Sequence, residues 1–477
     1  MGKFRISMLS KSDMEQVHSA SLGILERSGA IVRSAQARRL LSDMGAKVDE
    51  KGLRVWIPER LVKESLGSVA REFVLGARDR KHDLEIPSGG FPYISTDGFP
   101  VQIKDSETLE KRPSTRSDLE KWAILADWLP TVDFLWPSAG ATDIPSQIQL
   151  LGGLRTCYEN TSKHIQYQAF SGQEALLEAE MAAAVAGGED ENRKRPHFSS
   201  VQCIVAPLQY DEGSTDAVIE FARLGIPVVA MTMVTPGITG PATIAGSVAL
   251  ANAEVLASNV ISQAASKGAR VFYCYVCAPL DMRSGNFATG SPEYGLLSVA
   301  GAEMAKFYRF PSMMGGMGTS TKAAQMQTGF EKAITTFGPA LAGCDLITGV
   351  GGLNDAAYVS MEQMLMDAQV WEDIKRSWQG IEVNESEIAM DVIEKVGPKG
   401  QYLNNAHTFA NFRRLHASRF SDRGSYTAWE KGGKRDMFAT AHDEVKKVLG
   451  SHKPLPLSKE IAARLAAVEK RGTKVLA

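Results

Sequence analysis

From about residue 130 the chain repeats one pattern, in which a short β-branched or aromatic run is followed by an amphipathic or alanine-rich stretch. The runs fall at residues 132–136, 164–170, 198–205, 227–233, 271–276, 312–317, 346–350 and 356–359. Helix-like stretches lie at 146–159, 172–186, 213–224, 241–266, 292–308, 322–342 and 361–378. Eight such units in about 250 residues meet the requirement of a TIM barrel, and right-handed crossovers then make every strand parallel. The expected fold class is α/β: an N-terminal α+β lobe over 1–130, a (β/α)8 barrel over 131–380 and a C-terminal helical extension over 381–477.

Within the lobe, 11–28 and 34–44 read as helices, 58–65 as a shorter one opened by Pro58, and 73–102 as short strands between Gly and Pro turns. Ser114 with Asp118 is expected to cap a helix leading into the first barrel strand. Beyond the barrel, 385–396, 443–448 and 458–471 read as helices, the last packing on a neighbour or on the barrel wall.

The 44% of hydrophobic residues suffices for a large core, and 53 Lys and Arg against 55 Asp and Glu argue against a nucleic-acid binder. The first ten residues hold no apolar segment before a small-residue cleavage site, so a cytoplasmic protein is expected. Five scattered cysteines do not describe a disulfide framework. The small-residue run at 242–264 is interrupted by Asn252, Glu254, Ser258 and Asn259, which fits a buried or subunit-facing helix better than a membrane span. A homo-oligomer is expected on that ground.

A barrel of this kind carries its site at the C-terminal strand ends. In the assigned strands these ends are dominated by aromatic, Met, Pro and Gly residues, with acids, Lys and His scarce, so a wide, neutral, apolar pocket is expected. No His, Asp or Glu cluster has metal-ligand spacing. Cys274 and Cys277, three apart on a strand, face opposite sides and cannot act as a dithiol. Two Gly-rich rims, at Gly315, Gly316 and Gly318 and at Gly349, Gly351 and Gly352, allow either phosphate binding through backbone N–H groups or the close approach of a large flat partner.

A set of short elements then recurs in order along the chain. They include Leu9-Ser10 with His18-Ser19-Ala20-Ser21-Leu22, Lys163-His164, Ala206-Pro207-Leu208, Gly240-Pro241-Ala242-Thr243, Asp281-Met282-Arg283-Ser284-Gly285, Gln327-Thr328-Gly329-Phe330-Glu331 and Gly400-Gln401-Tyr402-Leu403. By their order and spacing from Leu9 to Gly432 the chain resembles the trimethylamine methyltransferase superfamily of corrinoid-dependent methyltransferases, specifically the members without pyrrolysine. The resemblance implies a TIM barrel that moves a methyl group from a methylated amine to the Co(I) corrinoid of a separate small protein. It also implies no tightly bound cofactor, a cognate corrinoid protein as partner, and a quaternary amine of the betaine type as substrate, glycine betaine first.

The chemistry fits that division. A quaternary nitrogen already carries the charge that makes a neutral amine leave, so no catalytic side chain is expected, and a carboxylate against the nitrogen would favour the ground state. An aromatic cage, worth about 1 to 2 kcal/mol per well-placed ring, binds with less of that penalty. Candidate walls are Trp136, Tyr167, Phe170 and Tyr358, with Tyr93 or Phe99 reaching in from the lobe; each has core packing as its plainer alternative. Donors for a betaine carboxylate would be His164, Gln168, Arg283, Asn354 and the amides of 349–352, although Arg283 equally suits an ion pair with Asp281 or Glu293, and His164 a buried carbonyl. With a corrinoid as partner, clearance becomes the favoured role of Gly315, Gly316, Gly318, Gly349 and Gly351. The competing readings are a non-catalytic betaine-binding barrel and a phosphosugar-type lyase, which calls for a lysine or carboxylate at a strand end.

Overall fold

The computed structural model describes residues 4–476. Among them, eight parallel strands close a barrel: β1 Tyr93–Thr96, β2 Phe134–Leu135, β3 His164–Tyr167, β4 Phe198–Ile204, β5 Val228–Thr232, β6 Val271–Tyr275, β7 Ser312–Gly315 and β8 Leu346–Val350. A helix follows each strand: α1 Arg116–Trp128, α2 Gln149–Asn160, α3 Gly172–Ala186, α4 Glu212–Leu224, α5 Ile244–Ala265, α6 Pro292–Tyr308, α7 Met326–Ala342 and α8 Met361–Gln379. Strands buried on both faces favour near-continuous apolar runs, and β5 and β6 come nearest to this as Val-Val-Ala-Met-Thr and Val-Phe-Tyr-Cys-Tyr, all buried.

Two strand assignments change. The barrel opens with β1, so its boundary lies near residue 93 instead of 131, and the run at 356–359 is not a barrel strand. β1 completes the ring by pairing β8 through Leu346↔Tyr93 and Ile347↔Ile94, and β2 through Ser95↔Phe134. Tyr358–Val359 instead pairs antiparallel with Gly352–Leu353 and parallel with Gln102–Lys104, which pairs in turn with Lys111–Pro113. That small sheet ties the loop after β8 to the loop after β1. It follows that the capped helix is the first barrel helix, and its capping box uses Thr115 and Asp118, with Ser114 one residue outside it.

The N-terminal helices Lys11–Gly23, Ala35–Asp43 and Glu59–Ser68 pack on α5. This cover accounts for the small-residue run: α5 is long and apolar enough to cross a membrane, yet 83% of its most apolar stretch is buried inside the chain. It needs no second subunit, and the reason for expecting an oligomer from it falls away. The last helix, Lys459–Val475, packs on α2 and α3, against the barrel wall.

Candidate functional site

The loops after β1, β2, β5, β6, β7 and β8 enclose a cavity of about 270 Å³ at the C-terminal mouth of the barrel. Trp136, Phe99 and Tyr294 form aromatic walls, Met231, Met233 and Met317 softer ones, and Asp97 and Asp355 are its carboxylates. No Lys, Arg or His lines it.

The aromatic corner is set by hydrogen bonds between strand ends. Thr96 Oγ1 donates to the Trp136 carbonyl at 2.6 Å and accepts from Trp136 N–H at 3.0 Å, fixing the end of β1 to the residue that follows β2. Three residues after Thr96, Phe99 takes a left-handed backbone (φ 73) and its ring meets Trp136 edge to face, with centroids 5.0 Å apart. Gly98 between them has no side chain for a physical reason: a Cβ there would lie 2.1 Å from Trp136 Cε2.

The opposite wall is held by strain and by a buried ion pair. Asn354, Asp355 and Ala356 are three consecutive left-handed residues, a conformation that non-glycine residues adopt at a cost. What over-determines the turn is a set of donors: Asp355 Oδ1 accepts from Thr289 N–H, Thr289 Oγ1 and Ser320 Oγ, each at 2.8 Å. Behind the wall, Lys332 Nζ lies 2.7 Å from Asp367 Oδ2, both side chains fully buried. The same Asp367 oxygen accepts Gly351 N–H at 2.7 Å, and Gln363 donates to Asp367 Oδ1. Burial pushes the Asp367 carboxyl up, and Lys332 opposes the shift.

Asp97 follows β1 directly, and its Oδ1 accepts Gly98 N–H at 3.0 Å. Burial pushes its carboxyl up from 3.8 to about 6, against the pull of Lys332. A raised folded-state value means that the native chain holds a proton between pH 4 and 6 that the unfolded chain has lost, so this group's contribution to stability falls as pH rises through 6. Asp97→Asn should therefore stabilise the fold at pH 7.5 by about 1 to 2 kcal/mol, discounted because the carboxyl faces the cavity, and should be neutral near pH 4. Urea unfolding of both chains at the two pH values checks this.

The sequence-derived candidates divide sharply. Trp136 lines the cavity. Tyr167 and Phe170 line an adjoining cavity of about 390 Å³ that shares Phe99 and Cys203 with the first. His164 is at the start of β3, at the other end of the barrel, where its ring nitrogens meet Gly76 O and Ser199 Oγ at 2.8 Å and burial lowers it to about 4. Arg283 is exposed on the hairpin after β6, its own N–H donating to Asp281 Oδ1. Tyr358 is buried with its hydroxyl donating to the Lys322 carbonyl at 2.5 Å, and Asn354 lies beside the wall while its neighbours Asp355 and Ala356 form it.

The glycines serve the protein's own packing. A Cβ at Gly315 would strike the Tyr294 hydroxyl, at Gly318 the Thr289 carbonyl, at Gly316 the Ile347 side chain, at Gly349 the Gly316 carbonyl and at Gly351 the Trp122 ring. Nor are the rim amides open. Those of Gly316, Met317 and Gly318 donate to Thr348 O, Thr336 Oγ1 and Thr335 Oγ1, and those of Asn354 and Asp355 to Thr321 O and Thr319 O. With Gly351 N–H on Asp367 as well, these six amides are not free to hold an anion.

The expected neutral mouth is thus corrected by Asp97 and Asp355. The signal for Asp97 was the sequence Tyr-Ile-Ser-Thr-Asp-Gly-Phe itself, had residues 93–96 been read as a barrel strand.

An apolar, aromatic cavity with two carboxylates at the C-terminal mouth of a closed parallel barrel defines a (β/α)8 enzyme site. The relatives narrow that class. The family model of trimethylamine methyltransferase (MTTB) matches residues 2–475, and the chain belongs to that family of methyltransferases. It is 34% identical to the trimethylamine methyltransferase MttB of Desulfitobacterium hafniense, over 98% of this chain and 94% of that one. It is 31% identical to a glycine betaine methyltransferase of the same species, over 99% and 98%. Among solved structures, the monomethylamine methyltransferase MtmB of Methanosarcina barkeri shares the fold, with a TM-score of 0.56 at 14% identity over 94% of this chain and 88% of that one.

Proposed function

We propose that this methyltransferase takes a methyl group from a quaternary amine and passes it to the Co(I) corrinoid of a partner protein. The observation that carries the reading is the cavity wall: aromatic rings and thioethers, two carboxylates and no cationic side chain favour a cationic substrate. In the transfer the N–CH3 bond breaks with its electron pair left on nitrogen, giving a tertiary amine. The carbon bonds to cobalt, which supplies the other pair and is oxidised from Co(I) to Co(III).

The acceptor is a second substrate, brought by its carrier, and the protein's task is placement. Edge-to-face packing of Phe99 on Trp136, with Thr96 fastening the strand ends, gives the ammonium group rigid walls. Around the mouth, Phe170, Ile238 and Met282 are exposed on loops after β3, β5 and β6, an apolar surround suited to a broad, flat ring. Because positive charge leaves nitrogen as the bond breaks, the attraction of Asp97 and Asp355 weakens with it, so the carboxylates favour substrate binding and amine release but oppose the transfer step itself.

Incubating the chain with cob(I)alamin and a panel of quaternary amines should give methylcobalamin and the matching tertiary amine for at least one of them. Absence of methyl transfer from every member of the panel, and from trimethylamine itself, would sink the reading.

A further inference from the structure

We infer that the quaternary amine is of the hydroxyalkyl type, a trimethylammonium whose fourth arm ends in a hydroxyl, and that a carboxylate-bearing betaine is the poorer ligand. This rests on the quaternary-amine reading and sharpens it. Three observations meet at the cavity. Asp97 and Asp355 both line it, while no Lys, Arg or His does. The two cationic candidates for holding a carboxylate are elsewhere, His164 at the far end of the barrel and Arg283 on an exposed hairpin, while Gln168 lines the adjoining cavity and Asn354 lies beside the wall. Six rim amides that could replace them, Gly351 N–H included, already donate within the protein.

Neutral donors remain. The indole N–H of Trp136 is buried in the cavity wall without a hydrogen-bond partner. A buried N–H of this kind calls for an acceptor. A ligand that fills the cavity therefore meets two neutral donors, this indole and the Tyr294 hydroxyl, and two acceptors of negative charge. A hydroxyl satisfies both kinds, accepting from the indole and donating to a carboxylate. A carboxylate accepts from the donors but is repelled by Asp97 and Asp355 across a cavity of about 270 Å³. A plain alkyl arm escapes the repulsion but leaves the indole unpaired.

The predicted order of affinity is choline, then tetramethylammonium, then glycine betaine. Isothermal titration of the full chain at pH 7.5 and constant ionic strength should find choline bound at least tenfold more tightly than glycine betaine. Trp136→Phe keeps a smaller ring and removes one donor, so it should weaken both ligands but choline more than tetramethylammonium, narrowing the preference between them at least threefold. Glycine betaine bound as tightly as choline, or a choline preference unchanged in the Trp136 variant, overturns the inference. Methyl transfer to cob(I)alamin is measured in parallel with all three. Transfer from glycine betaine in preference to choline overturns the inference and leaves the quaternary-amine reading standing. Transfer from none, with the affinity order as predicted, counts against the reaction and supports the assignment of the cavity.

Discussion

Lys332→Met should lower the stability of the fold by about 3 to 5 kcal/mol, the largest effect expected of any single substitution around the mouth. The ammonium is fully buried 2.7 Å from Asp367. Removing it strands a carboxylate that burial already pushes toward its neutral form. The loss is one of support as well, because Asp367 holds Gly351 N–H and Lys332 itself reaches the Gly349 carbonyl at 3.4 Å. Replacing both partners, as Lys332→Met with Asp367→Leu, should recover most of the stability, since an apolar pair of similar volume avoids the cost of an unpaired charge. Urea unfolding of the two variants and the parent measures both numbers. A Lys332→Met chain as stable as the parent would show that the pair is not what holds the β8 loop.

Gly98→Ala should reduce kcat/KM for methyl transfer by about a hundredfold with a far smaller effect on folding. The added methyl would sit 2.1 to 2.5 Å from three indole carbons of Trp136, so the ring must turn away from its place. Phe99, packed on that ring's face, moves with it. A loss of about 1 to 2 kcal/mol of cation binding, together with misplacement of the methyl carbon, gives a change of that size. Shortening the obstacle by Trp136→Phe in the same chain should restore part of the rate. Steady-state kinetics with cob(I)alamin as acceptor test both, and unaltered kinetics in Gly98→Ala would deny Trp136 its place in the site.

The barrel was legible because seven of its strands are apolar runs separated by helical stretches, a pattern that buried parallel strands impose. The eighth was not. Tyr93–Thr96 is four residues long, ends in Ser-Thr and lies between prolines at 92 and 100, so it resembles the short hairpin strands that precede it. Its place in the count went to 356–359, apolar enough to pass for a core strand but folded into the rim sheet. That exchange hid Asp97, because a residue is recognised as a mouth residue only when the strand before it is recognised. His164 failed for the complementary reason: its strand was found, but the residue stands at the wrong end of it. Trp136 lines the cavity because a bulky aromatic directly after a strand has few other places to go. The glycines were visible in the sequence, whereas the neighbours that demand their small size, Tyr294, Ile347 and Trp122, are distant in the chain and meet them only in the fold.

The pairing of β1 with β8 also bears on how the chain assembles. β1 joins residues about 250 positions apart along the chain, and its other side is secured to β2 through a single register pair, Ser95↔Phe134. During synthesis from the N-terminus, one side of β1 has no partner until β8 has been made. Ring closure is then a late, long-range event of the kind that slows folding. An unfinished barrel exposes two strand edges to other chains, and aggregation during slow production is the hazard to watch. The shortness of β1 and its hydroxyl-rich end make it a poor template for such pairing, a protection bought at the cost of a weak seam.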